Sequence, residues 1–92
     1  MLGRMKRRDW WRKVLEAEVQ RWSALSAEEL LTKLRDIEVY EITLEGKPYQ
    51  VEVELLEDTP EYVQVMVAVD DGSLPASMWP EIEIFLRTKE ST

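Results

Sequence analysis

The chain of 92 residues contains no cysteine and no histidine. Without cysteine there is no disulfide, no thiolate metal site and no thiol nucleophile. Without histidine the commonest general base and the commonest metal ligand are missing, and serine–histidine chemistry cannot be assembled within the chain. Glycine is scarce, with three residues, and neither GxGxxG nor GxxxxGK[ST] occurs, so the standard phosphate-cradling loops are excluded. No apolar run approaches the roughly 20 residues of a membrane span. The opening MLGRMKRRDWWRKVLEAEV has no apolar stretch behind its basic cluster, so it does not predict a secretory signal. Arg7-Arg8 ahead of Trp10-Trp11 approximates a twin-arginine signal, but charged residues follow. Met5 offers a second start, which would leave Arg4 outside the protein. With no sorting signal and no cysteine, the expected location is the cytoplasm.

What is present describes one small domain. Hydrophobic residues make up 45 % of the chain, including four Trp and three Tyr, which suits a packed core rather than disorder. The net charge of −7 is unevenly spread. Residues 1–15 hold Arg4, Lys6, Arg7, Arg8, Arg12 and Lys13 against Asp9 alone, a local +5. The remainder carries six basic and 18 acidic groups, a local −12. The expected organisation is a flexible basic arm over residues 1–8, a domain over 9–88 and a polar tail over 89–92.

The most legible stretch is Tyr49 to Asp70. Tyr49, Val51, Val53 and Leu55 alternate with polar residues, as do Val63, Val65, Val67 and Val69 with Gln64, Met66 and Ala68. Period-2 alternation of β-branched residues predicts two half-buried strands, joined by a turn at Asp58-Thr59-Pro60. A preceding strand is predicted over Glu38–Glu45, with Tyr40, Ile42 and Leu44 inward. Gly46-Lys47 fits a type II′ hairpin that would pair Leu44 with Tyr49 and Ile42 with Val51. Asp70-Asp71-Gly72-Ser73 reads as a turn rather than a cation loop, because the twelve-residue ligand pattern of an EF-hand does not follow. A fourth strand is predicted over Glu81–Arg87, with Ile82, Ile84 and Leu86 inward and Phe85 outward.

Two helices precede the strands. Asp9 is the predicted N-cap of a helix over Trp10–Trp22, on which Trp11, Val14, Leu15, Val19 and Trp22 form one apolar stripe and Arg12–Glu16 an i,i+4 pair. Ser26 and Glu29 have the spacing of a capping box for a second helix ending near Arg35 or Asp36, with Leu25 and Leu30 as its hydrophobic staple. The predicted fold is α+β, with two N-terminal helices on one face of a four-stranded antiparallel meander (ααββββ).

This arrangement leaves one sheet face open. The predicted registers place Glu41 opposite Glu52 and set Glu52 and Glu54 beside Met66, with Phe85 on the same face. That acidic surface with an apolar centre is a candidate docking face for a basic protein partner or a second copy. The connection Leu74–Pro80 sets Met78 and Trp79 between two prolines, either as part of that partner surface or as a plug on the core. Both outer strands are edges through which a dimer could extend the sheet. The alternative is nucleic-acid association through the basic, Trp-containing arm of Arg4, Lys6, Arg7, Arg8, Arg12 and Lys13. The acidic body opposes that alternative, and it opposes an anionic membrane surface equally. A third reading is a ligand carrier or enzyme with a site between helices and sheet near Tyr40 and Tyr49. No catalytic residue, cofactor or metal ligand is predicted. The expected function is therefore a small non-catalytic interaction domain, adaptor or regulatory in role.

Overall fold

In a computed structural model, residues 7–72 and 80–90 are described, without the side chains of Arg7 and Arg8. Two helices, α1 (Arg7–Ser23) and α2 (Ala27–Lys33), precede four strands, β1 (Glu38–Leu44), β2 (Lys47–Asp58), β3 (Tyr62–Asp70) and β4 (Glu81–Thr88). The strands form one antiparallel sheet in the order β1-β2-β3-β4. The fold is the predicted α+β meander.

Alternation builds the core directly. Val51 and Val53 of β2 and Val63, Val65, Val67 and Val69 of β3 are fully closed to solvent. Each contributes roughly 1.5–3 kcal/mol of burial. Trp11, Val14, Leu15 and Trp22 of α1 and Ala27, Leu30 and Leu34 from α2 and its C-cap complete the cluster. Helix α1 lies across β3 and β4 and α2 meets β3, so β1 is covered least. Tyr40, Ile42 and Leu44 accordingly remain half-buried.

Helix α1 starts at Arg7, and Asp9 stands inside its first turn rather than at the cap. A carboxylate there still favours the helix, because it faces the positive end of the macrodipole. Helix α2 has the predicted capping box. Ser26 Oγ accepts from the Glu29 N–H at 3.1 Å, and Glu29 Oε1 accepts from the Ser26 N–H at 3.0 Å. The Ser26 backbone N–H, and after it the Ser26 hydroxyl, hold the Glu29 carboxyl below its ordinary pKa. The helix ends at Lys33 with Leu34 as C-cap, two or three residues earlier than predicted.

Both hairpin registers differ from the sequence prediction by two residues. The β1–β2 turn is Glu45-Gly46, with φ of 53° and 75°, so it is type I′ and not the expected II′ at Gly46-Lys47. Ile42 pairs with Tyr49, Tyr40 with Val51 and Glu41 with Gln50. Between β2 and β3, Val53 pairs with Val67 and Leu55 with Val65. A shift of two preserves the face of every side chain, so the buried set is unchanged. The β2–β3 ladder then breaks at Leu56, where a bulge lets Glu57 face outward opposite Gln64. Without it the alternation of β2 would turn Glu57 toward the core.

The fourth strand is inverted relative to the prediction. Phe85 pairs with Val65 on the inner face and packs against the core, whereas Ile82, Ile84 and Leu86 face outward at 49 %, 50 % and 57 % exposure. The cause lies in the helix layer. On the inner face Glu81 meets Arg12 of α1 at 3.5 Å, and Arg87 Nε donates to the Leu25 carbonyl at 2.9 Å in the helix–helix connection. The charged ends of the strand are thus anchored beneath the helices with Phe85 between them.

The turn assignment is testable. Glu45 occupies a left-handed conformation that favours Asn. Glu45→Asn is expected to raise the unfolding free energy by up to about 1 kcal/mol in urea titrations. A type II′ turn at Gly46-Lys47 would place no such demand on residue 45, and the substitution would then be neutral.

Candidate functional site

The outer sheet face is set by β-strand parity. β1 contributes Val39, Glu41 and Thr43, and β2 contributes Gln50, Glu52 and Glu54. β3 contributes Gln64, Met66 and Ala68, and β4 contributes Ile82, Ile84 and Leu86. Glu52 lies opposite Ala68 and Glu54 opposite Met66. Met66 in turn lies opposite Ile84, and Ala68 opposite Ile82. Across the face, the strip along β2 is acidic and the strip along β3 and β4 is apolar.

Glu41, Glu52, Glu54 and Met66 are on the face expected for them. The predicted arrangement around them is corrected. Glu41 faces Gln50, and Val39 faces Glu52, so the like-charge opposition of Glu41 and Glu52 does not occur. Phe85 belongs to the core side and is replaced on this face by Ile82, Ile84 and Leu86. The apolar element is therefore an edge strip rather than a centre ringed by carboxylates. Met78 and Trp79 lie outside the described residues, as do Arg4 and Lys6. Arg7 and Arg8 begin α1, and Arg12 is engaged with Glu81. Lys13 is exposed on α1, beside Glu16, Ala17 and Gln20 at a cleft that Glu83 closes.

A polar cluster that the sequence did not predict ties α1 to β1. Glu18 is buried among the core residues of α1. The Tyr40 hydroxyl donates to Glu18 Oε1 at 2.5 Å and accepts from Trp22 Nε1 at 2.7 Å. Arg21 closes the group, 3.1 Å from Glu18 Oε1 and 3.3 Å from the Tyr40 oxygen, with its guanidinium 5.5 Å from the Tyr40 ring centre. Burial pushes the Tyr40 phenol above its ordinary value, and the bond to Glu18 adds to the rise. The Arg21 guanidinium is likewise raised, first by its bond to Tyr40. The proton is held on the phenol, which is the reverse of what a tyrosine nucleophile or base requires. The four groups satisfy one another, as a buried carboxylate needs. The one visible signal was the i,i+3 spacing of Glu18 and Arg21.

Tyr49 is buried, with Lys47 Nζ 5.8 Å from its ring centre. An open groove of ≈ 430 Å³ runs between α1 and β1, with Trp10, Val14, Ile42 and Leu44 on its apolar side and Lys13, Glu18 and Glu45 on its charged side. Among the described residues no three acidic side chains gather closely enough to hold a metal ion. Among them also, no helix is long and apolar enough to cross a membrane.

Loss of the Tyr40 hydroxyl would leave the buried Glu18 carboxylate with Arg21 but without its phenol donor. Tyr40→Phe is expected to cost about 1–3 kcal/mol by urea denaturation. Because the folded phenol pKa is raised, this contribution is full below the ordinary value of 10.0 and is lost as pH rises through the folded value. The wild type should therefore lose stability more steeply than Tyr40→Phe at alkaline pH. Parallel curves would remove the phenol from the account.

Comparison of the chain with known proteins found no matching family model, no matching curated protein and no matching solved structure.

Proposed function

We propose that the chain is a small non-catalytic interaction domain, adaptor or regulatory in role, that receives a protein partner on its outer sheet face. The observation that carries this reading is the amphipathic division of that face. Glu52 and Glu54 stand in one strip, and Ile82, Ile84 and Leu86, each about half exposed, stand in the next but one. Half-exposed isoleucines at successive outward positions of one strand are unusual on a solvated face, which ordinarily alternates to polar residues.

The chemistry of the strips defines the partner. A segment that is basic along one side and apolar along the other would place its cations against Glu52 and Glu54 and its apolar side on Ile82, Ile84 and Met66. Strands β2 and β4 are two sheet spacings apart, roughly 10 Å, which matches the width of a helix. The absence of histidine and cysteine and the internal satisfaction of the Glu18–Tyr40–Arg21 cluster favour binding over catalysis.

Glu52→Lys combined with Glu54→Lys tests the reading. Both residues are on the solvated face, so far-UV circular dichroism should be unchanged. Proteins captured by the wild type in a pull-down should be lost from the double variant and retained by Glu28→Lys, a control on the exposed side of α2. Equal capture by all three would contradict the proposal.

A further inference from the structure

We infer that β4 is the self-association edge of the domain, and that two copies join their β4 strands antiparallel about a two-fold axis at Ile84 to form one eight-stranded sheet. Sheet edges that avoid pairing carry proline, lysine, a bulge or inward-pointing charges. β4 reads EIEIFLRT, without proline or lysine, and its ladder to β3 is unbroken from Tyr62–Thr88 to Val69–Glu81; its inward charges, Glu81, Glu83 and Arg87, are of both signs and so can oppose one another across two copies. Its far side has no neighbouring strand among the described residues.

The sequence of β4 is complementary to itself in this register. Pairing about Ile84 sets Ile84 opposite its copy and Ile82 opposite Leu86 of the second copy, twice over, on the outer face. On the inner face it sets Glu81 opposite Arg87 and Glu83 opposite Phe85. Every carboxylate thus meets a cation or an aromatic ring, and apolar side chains meet apolar ones. Pairing about Glu83 would instead oppose that carboxylate with its copy.

The other edge lacks this property. Full-length antiparallel pairing of β1 centres on Glu41 and stacks Glu41 on Glu41, a like-charge opposition. Full face-to-face overlay of two sheets would bring the Glu52 and Glu54 rows against their copies. Of these three overlays, the β4 pairing is the one that opposes unlike charges. The joined sheet would carry one continuous apolar strip, six side chains from the two β4 strands with Met66 and Ala68 of each copy beside them, flanked on both sides by acidic strips.

The dimer does not depend on an outside partner, and Glu52→Lys/Glu54→Lys should leave it intact, because those residues lie two strands from the axis. The test is a sedimentation-equilibrium mass of the full chain across a concentration series. The wild type should approach twice the 10.9 kDa chain mass. Ile84→Lys, at a half-exposed position, should keep the wild-type circular dichroism and weaken association at least tenfold. Val39→Lys on the β1 edge should leave association unchanged. Since the chain has no native cysteine, Ile84→Cys provides a second measurement and should form a disulfide-linked dimer on mild oxidation, with Val39→Cys remaining monomeric. A monomeric wild type, association unaffected by Ile84→Lys, or efficient cross-linking only through Val39 would overturn the inference.

Discussion

Six valines closed to solvent, Val51 and Val53 on β2 and Val63, Val65, Val67 and Val69 on β3, fix one face of the sheet as the floor of the core. A strand cannot move one residue without turning all of its buried side chains to water. Every other element is placed relative to that floor. Helices α1 and α2 lay Trp11, Leu15, Trp22 and Leu30 on it, β1 adds Tyr40 and Ile42 at its margin, and β4 adds Phe85. The opposite face follows by parity, so its acidic and apolar strips are consequences of the same constraint.

Parity also explains which parts of the fold could be read from the sequence. The helices, their order before the strands and the capping box at Ser26 and Glu29 were legible because each depends on local spacing. The valine faces were legible for the same reason. Registers were not, because a slide of two residues leaves the hydrophobic pattern intact and the choice falls to the turn. Gly46 is compatible with either position of a two-residue loop, and the Glu45-Gly46 placement relieves the opposition of Glu41 and Glu52.

β4 departs from its sequence pattern for a different reason. Ile82, Ile84 and Leu86 outnumber Phe85, so pattern alone turned them inward. The deciding contacts are non-local. Glu81 is held by Arg12 and Arg87 by the Leu25 carbonyl, and neither partner is close to β4 in the chain. The Glu18–Tyr40–Trp22 cluster is not legible in the sequence on similar grounds, because a carboxylate on the apolar side of α1 becomes reasonable only once β1 brings it a phenol.

The inversion of β4 turns an acidic, solvated sheet into an amphipathic one, and it supplies both the apolar strip and the self-complementary edge. Thiol labelling of single-cysteine variants at positions 84, 85 and 86, in dilute reduced protein, tests it most directly. The account predicts labelling at 84 and 86 close to the rate of a free thiol, and strong protection at 85. Fast labelling at 85 with protection at 84 and 86 would contradict it and return the outer face to a purely acidic surface.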